Sequence, residues 1–170
     1  MPAESIRRLQ DATAEVMSRV RYCWLVTQSR DGAGNARPMG RILPDRDKGS
    51  WTVRFITDRR SHKAAAIERT PDVELIFQDD AQEAFVALGG SAQLLTDPAR
   101  VRELWKRAYE VYFPTENDRA NAIFVEVEIE LMRLWIRGVT PEPFGLQPVV
   151  LGRDGGGNWE VRVSGSSPLM

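Results

Sequence analysis

The stretch "IFVEVEIEL", residues 123–131, constrains the fold more than any other. Ile123, Val125, Val127, Ile129 and Leu131 alternate with Glu126, Glu128 and Glu130. A period of two sends alternate side chains to opposite faces of a strand. The whole segment, "IFVEVEIELMRLWIR", therefore reads as one long strand with an apolar face and a charged face. A strand of that length is stable only inside a sheet that covers the apolar face.

The partners for that sheet are legible upstream. "RYCWLVTQ" (21–28), "ARPMGRILP" (36–44), "WTVRFIT" (51–57), "DVELIFQ" (72–78) and "EAFVALGGSAQLLT" (83–96) all read as strands, separated by turn-forming "SRDGAGN" and "DRDKGS". Pro38 removes a ladder donor and places its strand at an edge or a bulge. Gly89-Gly90 permits a bend or bulge. Helices are expected over 5–20, capped by Ser5, over 62–70, capped by Ser61, and over 99–113, after Asp97 and Pro98. The strands do not alternate regularly with helices, so a doubly wound parallel sheet is disfavoured. The pattern gives a mainly β (α+β) protein: an antiparallel barrel of six to seven strands with peripheral helices. Residues 1–140 form the expected domain. Residues 141–170 are either a tail or an added hairpin, in which "PVVLG" and "WEVRV" flank "RDGGGN".

With 170 residues there is room for one domain with a real core. Cys23 is the only cysteine, which excludes an intrachain disulfide and fits a reduced, cytoplasmic setting. The first twenty residues lack a signal peptide's apolar run, and no segment has the length of a membrane span.

One short segment carries chemistry. In "FITDRRSHKAAAI" (55–67) a strand gives way to a helix, with Asp58, Arg59, Arg60, Ser61, His62 and Lys63 between. A helix N-terminus supplies unpaired N–H groups and partial positive charge, so it attracts anions. Thr57 and Ser61 add hydroxyls, and Lys63, Arg59 or Arg60 add charge. Arg37 reaches the same place if its strand pairs with 51–57. Composition alone favours the plainer reading of a solvated turn with a Ser61 cap. A metal centre is disfavoured: His62 is the only histidine and Cys23 the only thiol. A Ser-His-Asp triad lacks a nucleophile-elbow motif. A nucleic-acid surface built from Trp51, Phe55, Arg54, Arg59 and Arg60 is opposed by the net charge of −1.

The ordered set "LVTQSRDGAGNARPM", "WTVRFITDRRSHKAAAI", "PDVELIF", "ALGGSAQLLTD", "ELWKRAYEVYFP" and "VEVEIELMRLW" resembles the pyridoxamine 5′-phosphate oxidase-like superfamily, and within it the general stress protein branch. The likeness covers roughly residues 5–137. It implies a split β-barrel that binds FMN, with FAD the alternative, at a homodimer interface. It also implies that Arg37, Pro38 and Met39 line the flavin, and that Ile56, Thr57, Ser61, His62 and Lys63 hold its phosphate segment. Trp135 matches an aromatic position and packs either near the partner's flavin or in the core; Trp105 is expected in the core. Where the oxidases carry arginine before the lysine, this chain has His62. The oxidases also end on an arginine–histidine motif that grips the vitamin phosphate. Here "IRGVTPEPFGL" follows Trp135 and holds no histidine. The expectation is thus a stress-related FMN protein, not a true pyridoxine phosphate oxidase. It is either a flavin-dependent oxidoreductase of unassigned catalytic residues or a non-enzymatic flavin store or sensor. Deazaflavin and haem are the other cofactors open to this fold; haem ligation needs His62 free of the phosphate.

Overall fold

A computed structural model describes residues 3–162 of the chain. The described part is one nine-stranded antiparallel sheet with helices on its periphery. Its strands are β1 (Cys23–Gln28), β2 (Gly34–Met39), β3 (Pro44–Asp45), β4 (Thr52–Asp58), β5 (Asp72–Asp79), β6 (Ala84–Leu95), β7 (Ala122–Ile136), β8 (Val149–Arg153) and β9 (Trp159–Arg162). The helices are α1 (Ala3–Arg19), α2 (His62–Arg69), α3 (Pro98–Leu104) and α4 (Glu116–Ala120). Strand order along the main path is β2-β1-β5-β6-β7-β4-β3, with β8 added to β7 and β9 to β8. The sheet exceeds the expected six or seven strands because of the two-residue β3 and the β8–β9 hairpin. The last residues of the C-terminal tail, 163–170, lie outside the described residues.

The long strand β7 is central. It pairs with β4, β6 and β8. Its inner face begins as the alternation requires, with Ile123, Val125, Val127 and Ile129 fully buried. At Glu130 the parity breaks. Gly90 pairs with Ile129 and Gly89 with Leu131, which leaves Glu130 as an extra residue. Beyond this bulge the buried positions are Met132, Leu134 and Ile136, and Leu131 turns outward. Leu131 was expected on the buried face; the bulge reverses it. The bulge needs Gly90 itself: a Cβ there would stand 2.1 Å from the Glu128 carbonyl oxygen. Trp135 consequently lies on the outer face, half-buried and opposite Phe85.

The inner faces of the other strands converge on the same core. Leu25, Val53, Phe55, Leu75, Phe77, Val86 and Leu88 are buried with the β7 residues, and Trp51 is 1% exposed. Each such side chain contributes roughly 1.5–3 kcal/mol by leaving water. Trp51 and Phe55 are thereby withdrawn from any stacking surface for nucleic acid. Pro38 does sit at an edge, since β2 pairs only with β1.

Two helices differ from their expected bounds. α1 starts at Ala3, so Ser5 is inside it and caps nothing; Leu9, Val16 and Met17 press it against the sheet. α3 does cap on Asp97, whose side chain accepts from the Ala99 N–H, but it ends at Leu104 instead of continuing to 113. Trp105 and Lys106 are extended, and a short 3-10 turn follows over Arg107–Val111. The break lets Trp105 meet Tyr109 and Phe113 edge-on while Tyr109 packs on Phe124. A continuous helix would bury Val111 and Tyr112; they are 80% and 74% exposed.

Candidate functional site

Ser61 is the N-cap of α2. Its hydroxyl accepts from the Ala64 N–H at 3.2 Å and lies 3.4 Å from the Thr57 hydroxyl. The N–H groups of His62 and Lys63, first in the helix, have no carbonyl of their own to donate to. The strand-to-helix turn is held from below, where Arg59 N–H donates to the Asn121 carbonyl and Ser61 N–H to that of Asp58.

Arg37 does not reach this point by pairing with β4, as expected. β2 and β4 are separated along the sheet by β1, β5, β6 and β7. Instead α2 packs against β1, and Arg37 on the neighbouring β2 lies close enough for its charge to act on Lys63. Arg37 faces inward from β2, half-buried, and donates to Thr27 Oγ1 at 2.9 Å. Thr27 is fully buried, and sequence reasoning missed it; its signal is a hydroxyl on the inward-facing parity of "CWLVTQ". Lys63 is also half-buried. Burial lowers its ammonium pKa below the usual 10.5, and the neighbouring Arg37 charge lowers it further. Burial lowers the Arg37 guanidinium as well. Neither cation has an acidic partner among the described residues. Two desolvated, mutually repelling cations beside a free helix N-terminus are an arrangement completed by an anion.

The remaining cations of the segment are occupied or exposed. Arg60 grips Asp58 through Nε at 2.9 Å and a terminal nitrogen at 2.6 Å, and also reaches Asp118 at 3.2 Å. It is therefore unavailable to supplement His62. The His62 and Arg59 side chains are exposed. Met39 packs against the core, whereas Pro38 and Ile56 lie on the outer face. Trp135 is not brought to the cradle of its own chain. Ile123 stands opposite Thr57, and Trp135 is twelve residues further along β7, about 40 Å at roughly 3.4 Å per residue.

Beyond Val53 the second edge of β4 has no strand partner among the described residues, so its backbone groups are open to a ligand. A cavity of about 420 Å³ opens beside Thr52 and Arg54, walled by Arg41, Tyr109 and Phe124. Arg54 is neutralised there by Glu126 at 2.6 Å.

A family model described as "Pyridoxamine 5′-phosphate oxidase like" matches residues 9–141. General stress protein 26 of Bacillus subtilis is 28% identical over 90 residues, which are 51% of this chain and 64% of that protein. The matched region thus spans less than two thirds of that relative's length. Among solved structures, a pyridoxamine 5′-phosphate oxidase-related, FMN-binding protein of Nostoc punctiforme superposes with a TM-score of 0.71 at 17% identity, covering 90% of this chain and 95% of that one. A protein of Clostridium acetobutylicum related to general stress protein 26 gives 0.65 at 16% identity, covering 85% and 94%. The likeness establishes the β-rich split-barrel fold.

Proposed function

This chain belongs to the pyridoxamine 5′-phosphate oxidase like family, and from that membership we propose that it binds FMN, with the phosphate seated between Arg37, Lys63 and the N-terminus of α2. The observation that carries the reading is the half-buried Arg37–Lys63 pair, which has no acidic partner among the described residues. A phosphate removes their repulsion, and Ser61, Thr57 and two free N–H groups complete its shell. Exposed His62 adds a further donor at its rim. The open edge of β4 near Ile56 is offered to the ring, with Pro38 and Met39 along β2. When bound, the flavin supplies hydride or electron transfer, and the chain supplies placement and charge.

The reading extends to a homodimer. Trp24, 48% exposed, continues through Ile76 and Ala87 as an apolar row on the outer sheet face, and Phe85 and Trp135 flank it. A second copy covering that face would bring Trp135 toward the partner's flavin. Light scattering of the eluted protein tests this: a monomer mass at micromolar concentration removes the dimer from the proposal.

The deciding experiment is the absorbance spectrum and mass of whatever ligand co-purifies, followed by titration of stripped protein with FMN, FAD and riboflavin. Oxidised-flavin maxima and preference for FMN over riboflavin are expected. An intense Soret band, or equal affinity for riboflavin, refutes the phosphate seat. Bleaching of bound flavin by NADH or NADPH separates an oxidoreductase from a flavin store or sensor.

A further inference from the structure

Arg60 is held by two acids, Asp58 and Asp118, and is among the most heavily bonded side chains near the cradle. Asp58 Oδ1 accepts from the Arg60 backbone N–H at 2.8 Å and from its Nε at 2.9 Å, while Oδ2 accepts from a terminal guanidinium nitrogen at 2.6 Å. Both carboxylate oxygens are thus engaged by one residue. A second acid steadies the guanidinium from the far side: Asp118 reaches it at 3.2 Å. Asp118 is itself fixed by the capping box of α4, where Thr115 N–H donates to Asp118 and Thr115 Oγ1 accepts the Asp118 N–H.

What this lock prevents is visible in the neighbouring charges. The groups that bear on Lys63 are Arg37 and Asp58, with exposed Arg59 and His62 at the rim. Asp58 already acts on Lys63 at a distance: its negative charge raises the ammonium pKa, against the larger lowering by burial and by Arg37. Even so, no Asp58–Lys63 ion pair forms among the described residues. A carboxylate released from Arg60 would be five positions from the one desolvated ammonium in reach, and such a pair is the natural competitor of a bound phosphate.

We propose that Arg60 is a positioning residue that guards the anion cradle: by holding both oxygens of Asp58, it keeps that carboxylate from neutralising Lys63. The guard explains why a phosphate-binding turn carries an acid inside it. Asp58 anchors the turn only because Arg60 absorbs its charge. It also explains why the lock is doubled through Asp118, which stays capped by Thr115 when Arg60 is lost. Asp58 is then the carboxylate set free. This inference rests on the FMN reading for its functional consequence but not for its electrostatic one.

The test uses Arg60→Ala, Asp58→Asn and the double variant, each checked for folding by circular dichroism. In ligand-free protein, the Lys63 side-chain carbon and nitrogen signals are titrated by NMR. Arg60→Ala should raise the Lys63 pKa, and the double variant should return it to the Asp58→Asn value. FMN and riboflavin are then titrated by flavin fluorescence. Arg60→Ala should bind FMN about tenfold more weakly, the scale of one charge-assisted hydrogen bond. Riboflavin should be unaffected, and the double variant should recover FMN affinity. A Lys63 titration unmoved by Arg60→Ala, or a double variant as weak as Arg60→Ala, overturns the guard. If wild-type protein fails to bind FMN, the flavin reading falls while the Lys63 titration still decides the guard. Should Arg60→Ala fail to fold, Arg60→Gln gives the same comparison with a neutral side chain.

Discussion

Lys63→Met is the most informative single change. It keeps an unbranched apolar stem of similar length, so the packing of the half-buried side chain is largely preserved while the charge is removed. Lys63 has no acidic partner among the described residues, and its charge is opposed by burial and by Arg37. In the ligand-free protein the substitution therefore breaks no ion pair and relieves a repulsion. The melting temperature should hold or rise slightly. With FMN bound at the proposed seat the balance should reverse, because the ammonium would donate to the phosphate. A hydrogen bond to a charged group contributes about 1.5–3 kcal/mol net. At about 1.4 kcal/mol per decade, that is a loss of roughly tenfold to 150-fold in affinity. Fluorescence titration of stripped protein with FMN and riboflavin in parallel isolates the phosphate contribution. FMN binding should weaken by that factor, and riboflavin binding should not change. Equal losses for both ligands would mean that Lys63 shapes the ring site. An unchanged FMN affinity would mean that the phosphate lies elsewhere. Either result refutes the placement.

Further outcomes follow from the same geometry. Because the Lys63 pKa lies below its unfolded value of 10.5, the ligand-free fold gains stability as pH climbs from the lowered value towards 10.5, where the unfolded chain still holds the proton. Melting wild type against Lys63→Met across that window isolates the gain, which should be missing from the variant. FMN, by restoring the ammonium, should bind with proton uptake at alkaline pH and more weakly as pH rises; calorimetry in buffers of different ionisation enthalpy reads this, and no buffer dependence would oppose it. Gly90→Ala drives a Cβ against the Glu128 carbonyl and should destabilise by about 1–3 kcal/mol, seen as a fall in melting temperature; an unchanged melt would mean that the bulge relaxes freely. Cys23 is 2% exposed and its thiol is pushed up to about 11, so an aromatic disulfide reagent should label it only after unfolding.

Much of the sheet is legible from periodicity. The strands at 72–78 and 123–129 declare their buried parity directly. What periodicity hides is a change of register. "ELMRLWI" reads as continuing the first half of β7, yet the order Met132, Leu134, Ile136 already carries the opposite parity, with Arg133 outside. The glycines at 89 and 90 mark where the shift is absorbed. The break of α3 at Trp105 was hidden for another reason. Helical spacing accounts for Val101 and Leu104, but the aromatic cluster with Tyr109, Phe113 and Phe124 is a tertiary demand that outweighs local propensity. At the site, the Ser61 cap and the grouping of Thr57, Ser61 and Lys63 follow from local sequence. The meeting of Arg37 with Lys63 does not, because it depends on the tertiary packing of α2 against β1. Nor does the second hold on Arg60, since Asp118 is fifty-eight residues away.

The topology also dictates when such a cradle exists. Arg37, Thr57, Ser61 and Lys63 all emerge within the first third or so of the chain. Yet β4 is anchored to the rest of the sheet chiefly through β7, which ends at Ile136. A ribosome that has released seventy residues has delivered every member of the cradle but not the sheet that brings Arg37 to Lys63. On the proposed placement, anion affinity would appear only when nearly the whole barrel has been synthesised and closed, and a bound phosphate would act as a clasp between β2 and the turn that follows β4.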